Sequence, residues 1–290
     1  MHLARTAIAA LVLVGLSSAA CTDKPTASPE VAAPEPTEEA AAQPTPPADA
    51  APSPTDTRPE QRAQVDERSK AVLERLIKHY ATFDGLSVVA RHRIKAPSRI
   101  LHEQVRHVNI VKPNHFRVEA NGRVLTIGDG KHCWMLMPDK TGYGELKAPA
   151  SLPEAMRTVP VLGGGSIGSS GGIVAALLSP DPMDALLRYA TSVEVKNMGT
   201  DDLLIIEMSD SPGTLRTGTR VGLFIPKNGP PWIAQADLIP PGVQIYTRIV
   251  FENWTPSASP ASNFELDPQA LRIAPLSLEP TTPASQPESN

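Results

Sequence analysis

The chain has 290 residues, 31 of them proline, with 41% apolar and 20% charged residues. The apolar share can fill a core, and the proline excess belongs to segments that cannot join it. A net charge of -4 offers no basic excess for nucleic acid, two cysteines exclude a disulfide scaffold or a Cys-rich zinc module, and no apolar run approaches the ~20 residues that span a bilayer.

Residues 1–20 have the order of an export signal: Arg5 is the positive start, Ile8 to Leu16 the apolar stretch, and Ser17 to Ala20 the small residues before Cys21. A buried first helix would need a partner face, which the polar stretch from Thr22 does not offer. The segment resembles a bacterial lipoprotein signal. That resemblance implies diacylation of Cys21, with palmitate-type chains, and a membrane partner through this anchor. Ser18 stands where a Leu is usual, and ordinary cleavage nearby is the alternative. Thr22 in place of Asp implies the periplasmic side of the outer membrane.

Residues 21–60 are almost wholly Pro, Ala, Thr, Ser and acid, which predicts a disordered tether of polyproline character. At roughly 3 Å per residue it could hold a domain up to ~100 Å from the bilayer. The composition returns in 276–290, a second disordered tail.

Between 61 and 275 the pattern is periodic. Val65, Val72, Leu73, Leu76, Ile77, Tyr80 and Phe83 predict one amphipathic helix ending before Gly85. The runs LSVVARHRI, EQVRHVNIV, HFRVEA, RVLTIG and KHCWMLM follow, with Asn121-Gly122 and Asp129-Gly130 between the later ones. Such dipeptides favour hairpin turns, so these runs predict an antiparallel meander of about five strands. From Pro149 to Ala190 short helical pieces are expected at Leu152 to Thr158, Ile173 to Leu178 and Pro182 to Ala190. Strands resume at Ser192 to Val195, Leu203 to Met208, Val221 to Ile225, Trp232 to Ile239 and Val243 to Trp254, before a short piece near Phe264. The order helix, meander, helical insert, meander predicts an α+β domain with one large sheet. Cys133 to Met137 and Leu203 to Ile206 are apolar on both faces, so either helices cover one face and something else the other, or the sheet curls so that its concave side lines an apolar interior.

The run KPNHFRVEANGRVLTIGDGKHCWMLMPDKTGYGEL, with Lys112-Pro113, Phe116-Arg117, Asp129-Gly130-Lys131 and Trp134, resembles the central segment of the periplasmic lipoprotein-carrier superfamily, the LolA/LolB-like fold. The likeness extends over most of Val65 to Leu271 and is nearest to a family of periplasmic proteins of undefined function. It implies a strongly curved antiparallel sheet, an open half-barrel, with helices covering its concave side and an apolar cavity for acyl chains. Trp134, Leu136, Phe224, Trp232 and Leu238 are the residues proposed to line that cavity, with ordinary core packing as the alternative for each.

No catalytic, metal or cofactor site is predicted. GGGSIGSSGG at 163–172 matches G-x-G-x-x-G and, through Ser166, G-x-S-x-G, but it lacks a βαβ unit, and every histidine precedes Ser166. The residues read more simply as a glycine-rich loop. His102 and His107 are an odd number apart, on opposite faces of a regular strand, and Cys133 reads as a small buried hydrophobe. The sequence therefore predicts a non-enzymatic, lipid-anchored periplasmic protein that binds a hydrophobic ligand, lipid or another lipoprotein's acyl chain, and carries or senses it. The alternative is an envelope interaction module on a tether, without a ligand.

Overall fold

The computed structural model describes residues 63–136, 142–163, 167–209, 215–257, 261–266 and 273–275. The export signal, Cys21, the tether, the tail, Met137 and Ser166 lie outside the described residues.

After β1 (Gln64–Val65), helix α1 spans Glu67–Tyr80. Asp66 starts it by accepting a hydrogen bond from the Ser69 amide at 2.6 Å, and Val72, Leu73, Leu76 and Tyr80 form its buried stripe. Six strands follow: β2 (Gly85–Ala96), β3 (Arg99–Val111), β4 (His115–Ala120), β5 (Arg123–Asp129), β6 (Cys133–Leu136) and β7 (Tyr143–Leu146). Each pairs antiparallel with the next, as the turn signals predict, and Asn121 and Gly122 both take the positive φ of a primed turn, at 49° and 77°. The meander has one strand more than expected, because Tyr143 to Leu146 is too short for its alternation to show.

The helical insert contains α2 (Leu152–Thr158), a 3-10 turn at Pro160–Leu162, α3 (Ser170–Leu178) and α4 (Pro182–Leu187). The second meander is β8 (Ala190–Met198), β9 (Asp201–Met208), β10 (Thr219–Pro226), β11 (Gln235–Ile239) and β12 (Tyr246–Pro256), followed by a 3-10 turn at Ala261–Phe264 and β13 (Ile273–Pro275).

The described strands form one sheet in the order β1-β8-β9-β10-β11-β12-β2-β3-β4-β5-β6-β7-β13. Its outermost strands pair with nothing beyond them in that order, so the sheet is open. Pairing of β12 with β2 joins the two meanders edge to edge. Only the outermost pairs, β1 with β8 and β13 with β7, are parallel. Both use short strands that return from far along the chain, which local turn signals cannot reveal.

The registers define two faces. On the inner face lie Leu86, Val88 and Ala90 of β2, Val108 and Ile110 of β3, Phe116 of β4, Leu204 of β9 and Leu223 of β10, all buried. Helix α3 packs on β2 and β3, α1 packs on β8 and β9, and α2 and α4 close around α3. The outer face carries the alternate residues. There Arg91 and Arg93 both pair with Glu103, at 3.1 and 2.5 Å, and Arg248 grips Asp237 through two bonds of 2.9 and 2.8 Å. Near β4 and β5 the 3-10 turn at 261–264 covers part of this face, where Ile127 and Phe264 are buried. The double apolar character of Leu203 to Ile206 resolves accordingly: Leu204 and Ile206 join the inner core, while Leu203 and Ile205 face outward, half-buried beside Phe224 and Gly222.

Candidate functional site

The inner face centres on α3. Its sequence, SGGIVAALL, has no charge, and all nine residues are buried. Ser169 caps it, accepting from the Gly172 amide at 3.0 Å. Gly171 lets the helix approach the preceding turn: a Cβ there would lie 2.9 Å from Leu162 Cδ2, which would have to shift. An apolar helix thus lies directly on the apolar floor supplied by β2 and β3.

The floor changes character at the helix N-terminus. Beyond Ala90 and Val108, the next inner positions are His92 on β2 and Arg106 and Gln104 on β3. His92 Nε2 and Ser170 Oγ are hydrogen-bonded at 2.8 Å, and Arg106 Nε donates to Gln104 Oε1 at 2.8 Å. Burial, aided by the Arg106 charge, pushes the His92 pKa down to about 3, so the ring is neutral at physiological pH. Burial also lowers the Arg106 pKa. Among the described residues no carboxylate pairs with Arg106. The apolar floor, covered by α3, is thus bounded at one end by a neutral imidazole, a hydroxyl, an amide and one guanidinium.

The Ser170 and His92 pair has the spacing of a nucleophile and base, but its electrostatics oppose that role. Acyl transfer would charge the imidazole, which burial and Arg106 both disfavour, and no described carboxylate orients the ring.

A second cluster pins the end of α1. Trp232 meets His79 edge-on at 4.3 Å and Tyr80 edge-on at 5.3 Å, and stacks on Phe83 and Trp254 at 5.2 and 5.4 Å. The Tyr80 hydroxyl accepts from the Ile233 amide at 3.1 Å, and Trp254 Nε1 donates to the Ile233 carbonyl at 2.9 Å. The Trp254 ring reaches this cluster from the irregular stretch of β12 between Glu252 and Thr255, where Asn253 has a φ of 56°.

The five residues proposed as lining do not converge. Leu238 is buried on the inner face, and Trp232 packs beside α1. Trp134, Leu136 and Phe224 are on the outer face, opposite Ile127, Tyr143 and Leu203 respectively. Strand parity divides them: Cys133 takes the inner, fully buried position, which places Trp134 and Leu136 together on the opposite face. Cys133 is the buried residue expected, with its thiol pKa raised to about 12 by burial. His102 and His107 fall on opposite faces. Sequence reasoning missed Ala90, His92, Gln104, Arg106 and Ser170. The signal available was alternation along β2 and β3, where a histidine and an arginine interrupt the inner apolar series.

No protein-family model matches the sequence, and no curated protein matches it. Solved structures similar to it include an uncharacterized conserved protein from Thermus thermophilus, at 9% identity over 72% of this chain and 100% of that one, with a TM-score of 0.43. A LolA superfamily protein from Nitrosomonas europaea is similar at 12% identity over 68% of this chain and 97% of that one, with a TM-score of 0.33. The lipoprotein LppX of Mycobacterium tuberculosis is similar at 12% identity over 67% of this chain and 98% of that one, with a TM-score of 0.37.

Proposed function

We propose that the chain is a lipid-anchored, non-enzymatic protein of the cell envelope, held by Cys21 to the periplasmic side of the outer membrane. It binds a hydrophobic ligand, a lipid or another lipoprotein's acyl chain, against the inner face, as carrier or sensor. The observation supporting this reading is α3, an uncharged helix buried along its whole length against an apolar sheet and joined to it at its N-terminal end by the His92 and Ser170 bond. Its outward displacement would bare an acyl-binding floor, and each buried methylene would contribute about 0.8 kcal/mol. In this reading Leu238 and Trp232 are the candidates on the inner side, and Trp134, Leu136 and Phe224 lie on the outer face away from it.

One observation favours a second reading. Ile173, Val174 and Leu177 are wholly buried against the protein's own side chains, as suits an envelope interaction module without a ligand. Native mass spectrometry with lipid extraction separates the two, using residues 21–290 with Cys21→Ser, exported behind a cleavable signal and purified from a Gram-negative periplasm. A stoichiometric acyl species is expected. A clean apo mass that also ignores added fatty acids and phospholipids would overturn the binding reading.

A further inference from the structure

Six large apolar side chains are exposed among the described residues, and five of them, Ile100, Leu101, Ile239, Val243 and Ile245, lie at one end of the sheet. The registers bring them together. Lys95 of β2 is opposite Ile100 of β3, and Ala96 is opposite Arg99, leaving Pro97 and Ser98 as the turn. Tyr246, the first residue of β12, flanks Lys95 on its other side. Ile239, the last residue of β11, is opposite Arg220 near the start of β10. The β2–β3 turn, the 240–245 connection and the approach to β10 therefore stand side by side. The pairing of β3 with β4 stops at Arg106 and Ala120, so the β2–β3 hairpin projects beyond its neighbour. Met198, the sixth exposed residue, ends β8 on the opposite side of the sheet.

The charge at this end is mainly positive. Lys95, Arg99 and Arg216 lie in the segments 94–102 and 215–220, which contain no acidic residue, while Arg220 is opposite Glu207 of β9 and pairs with it at 3.9 Å. Lys95 Nζ lies 5.8 Å from the Tyr246 ring centre, and the Arg248 guanidinium carbon 5.6 Å from it. Branched apolar side chains at the ends of β3 and β11 and in the 240–245 connection, with prolines at 240 and 241, form tips rather than a groove. Tips of this composition suit insertion among acyl chains, with a tyrosine at the boundary and cations at the phosphate level.

We propose that this end of the sheet docks on an anionic lipid bilayer, with Ile100, Leu101, Val243 and Ile245 entering the interface and Lys95 and Arg99 meeting lipid phosphates. This contact is separate from the inner face and does not depend on ligand binding there. It would orient the domain on the membrane independently of the anchor.

The test is vesicle flotation of residues 21–290 carrying Cys21→Ser, on phosphatidylcholine alone and on phosphatidylcholine mixed with phosphatidylglycerol. Binding to the mixed vesicles is expected, weakening as salt rises. Leu101→Ser with Val243→Ser should reduce the partition coefficient roughly tenfold or more. Lys95→Glu with Arg99→Glu should cause a similar loss on anionic vesicles only. Circular dichroism confirms that each variant folds, and native mass spectrometry reports inner-face loading separately, which these variants should leave unchanged. Failure to bind either vesicle would overturn the proposal, as would binding that ignores lipid charge and both pairs of substitutions. A concentration-dependent dimer abolished by Leu101→Ser would assign the patch to a second copy and overturn it equally.

Discussion

Neighbouring residues of one strand experience different physics in this sheet. On β2, Val88 and Ala90 vanish beneath the helices, whereas Arg91 and Arg93 point the other way and share Glu103. The inner face is held by removal of apolar area from water, which is non-directional and strong. The outer face is held by ion pairs in partial contact with solvent, which are directional and weak. The difference teaches where substitutions should matter, and where a hydrophobic ligand could find affinity.

The comparison can be broken most severely from the inner side. Phe116 is wholly buried, so Phe116→Ala should destabilise the domain by ~3–5 kcal/mol in chemical denaturation. Gly128 is opposite Phe116, and a Cβ there would sit 2.5 Å from the ring. Gly128→Ala should therefore cost about 1–3 kcal/mol, with part of the loss recovered when Phe116→Leu is added; simple additivity would contradict the stated clash.

The inner polar rim yields a pH signature. The His92 pKa falls from 6.5 to about 3 on folding, so below 6.5 the unfolded chain binds a proton that the folded chain refuses. Stability from this group is fully present above 6.5 and is lost as pH falls toward 3, at up to about 1.4 kcal/mol per pH unit. The group faces Arg106 on β3 and Ser170 on α3. His92→Gln should flatten the dependence in that window, read as the difference between the two proteins because carboxylates titrate there too. An unchanged slope would mean that the ring is already hydrated. On the outer face, Glu103→Gln should leave the denaturation midpoint nearly unmoved at physiological salt, and a large shift would show the two faces to be less different than described.

Much of this division was legible in the sequence. The 3.6-residue spacing from Val72 to Tyr80 and the Asn121-Gly122 turn have local causes, so α1 and the first hairpins appear where expected. Facing was harder to read. Cys133 and Trp134 are both apolar, and only the pairing of Cys133 with Gly128 under Phe116 decides which is inside. The His92 and Ser170 contact joins residues 78 positions apart, and no local pattern encodes it. The cluster of exposed apolar tips had no sequence signal either, because it arises only when β12 is laid beside β2.

The claim that ligand binds on the helix-covered face is tested most directly by photo-crosslinking. A fatty acid carrying a diazirine near its methyl end would be activated on residues 21–290 with Cys21→Ser, and the labelled peptides mapped by mass spectrometry. The account predicts label on α3, around Ile173 and Leu177, and on the facing strands around Ala90 and Val108. Label confined to outer-face positions such as Trp134 and Phe224, or no label at all, would contradict it.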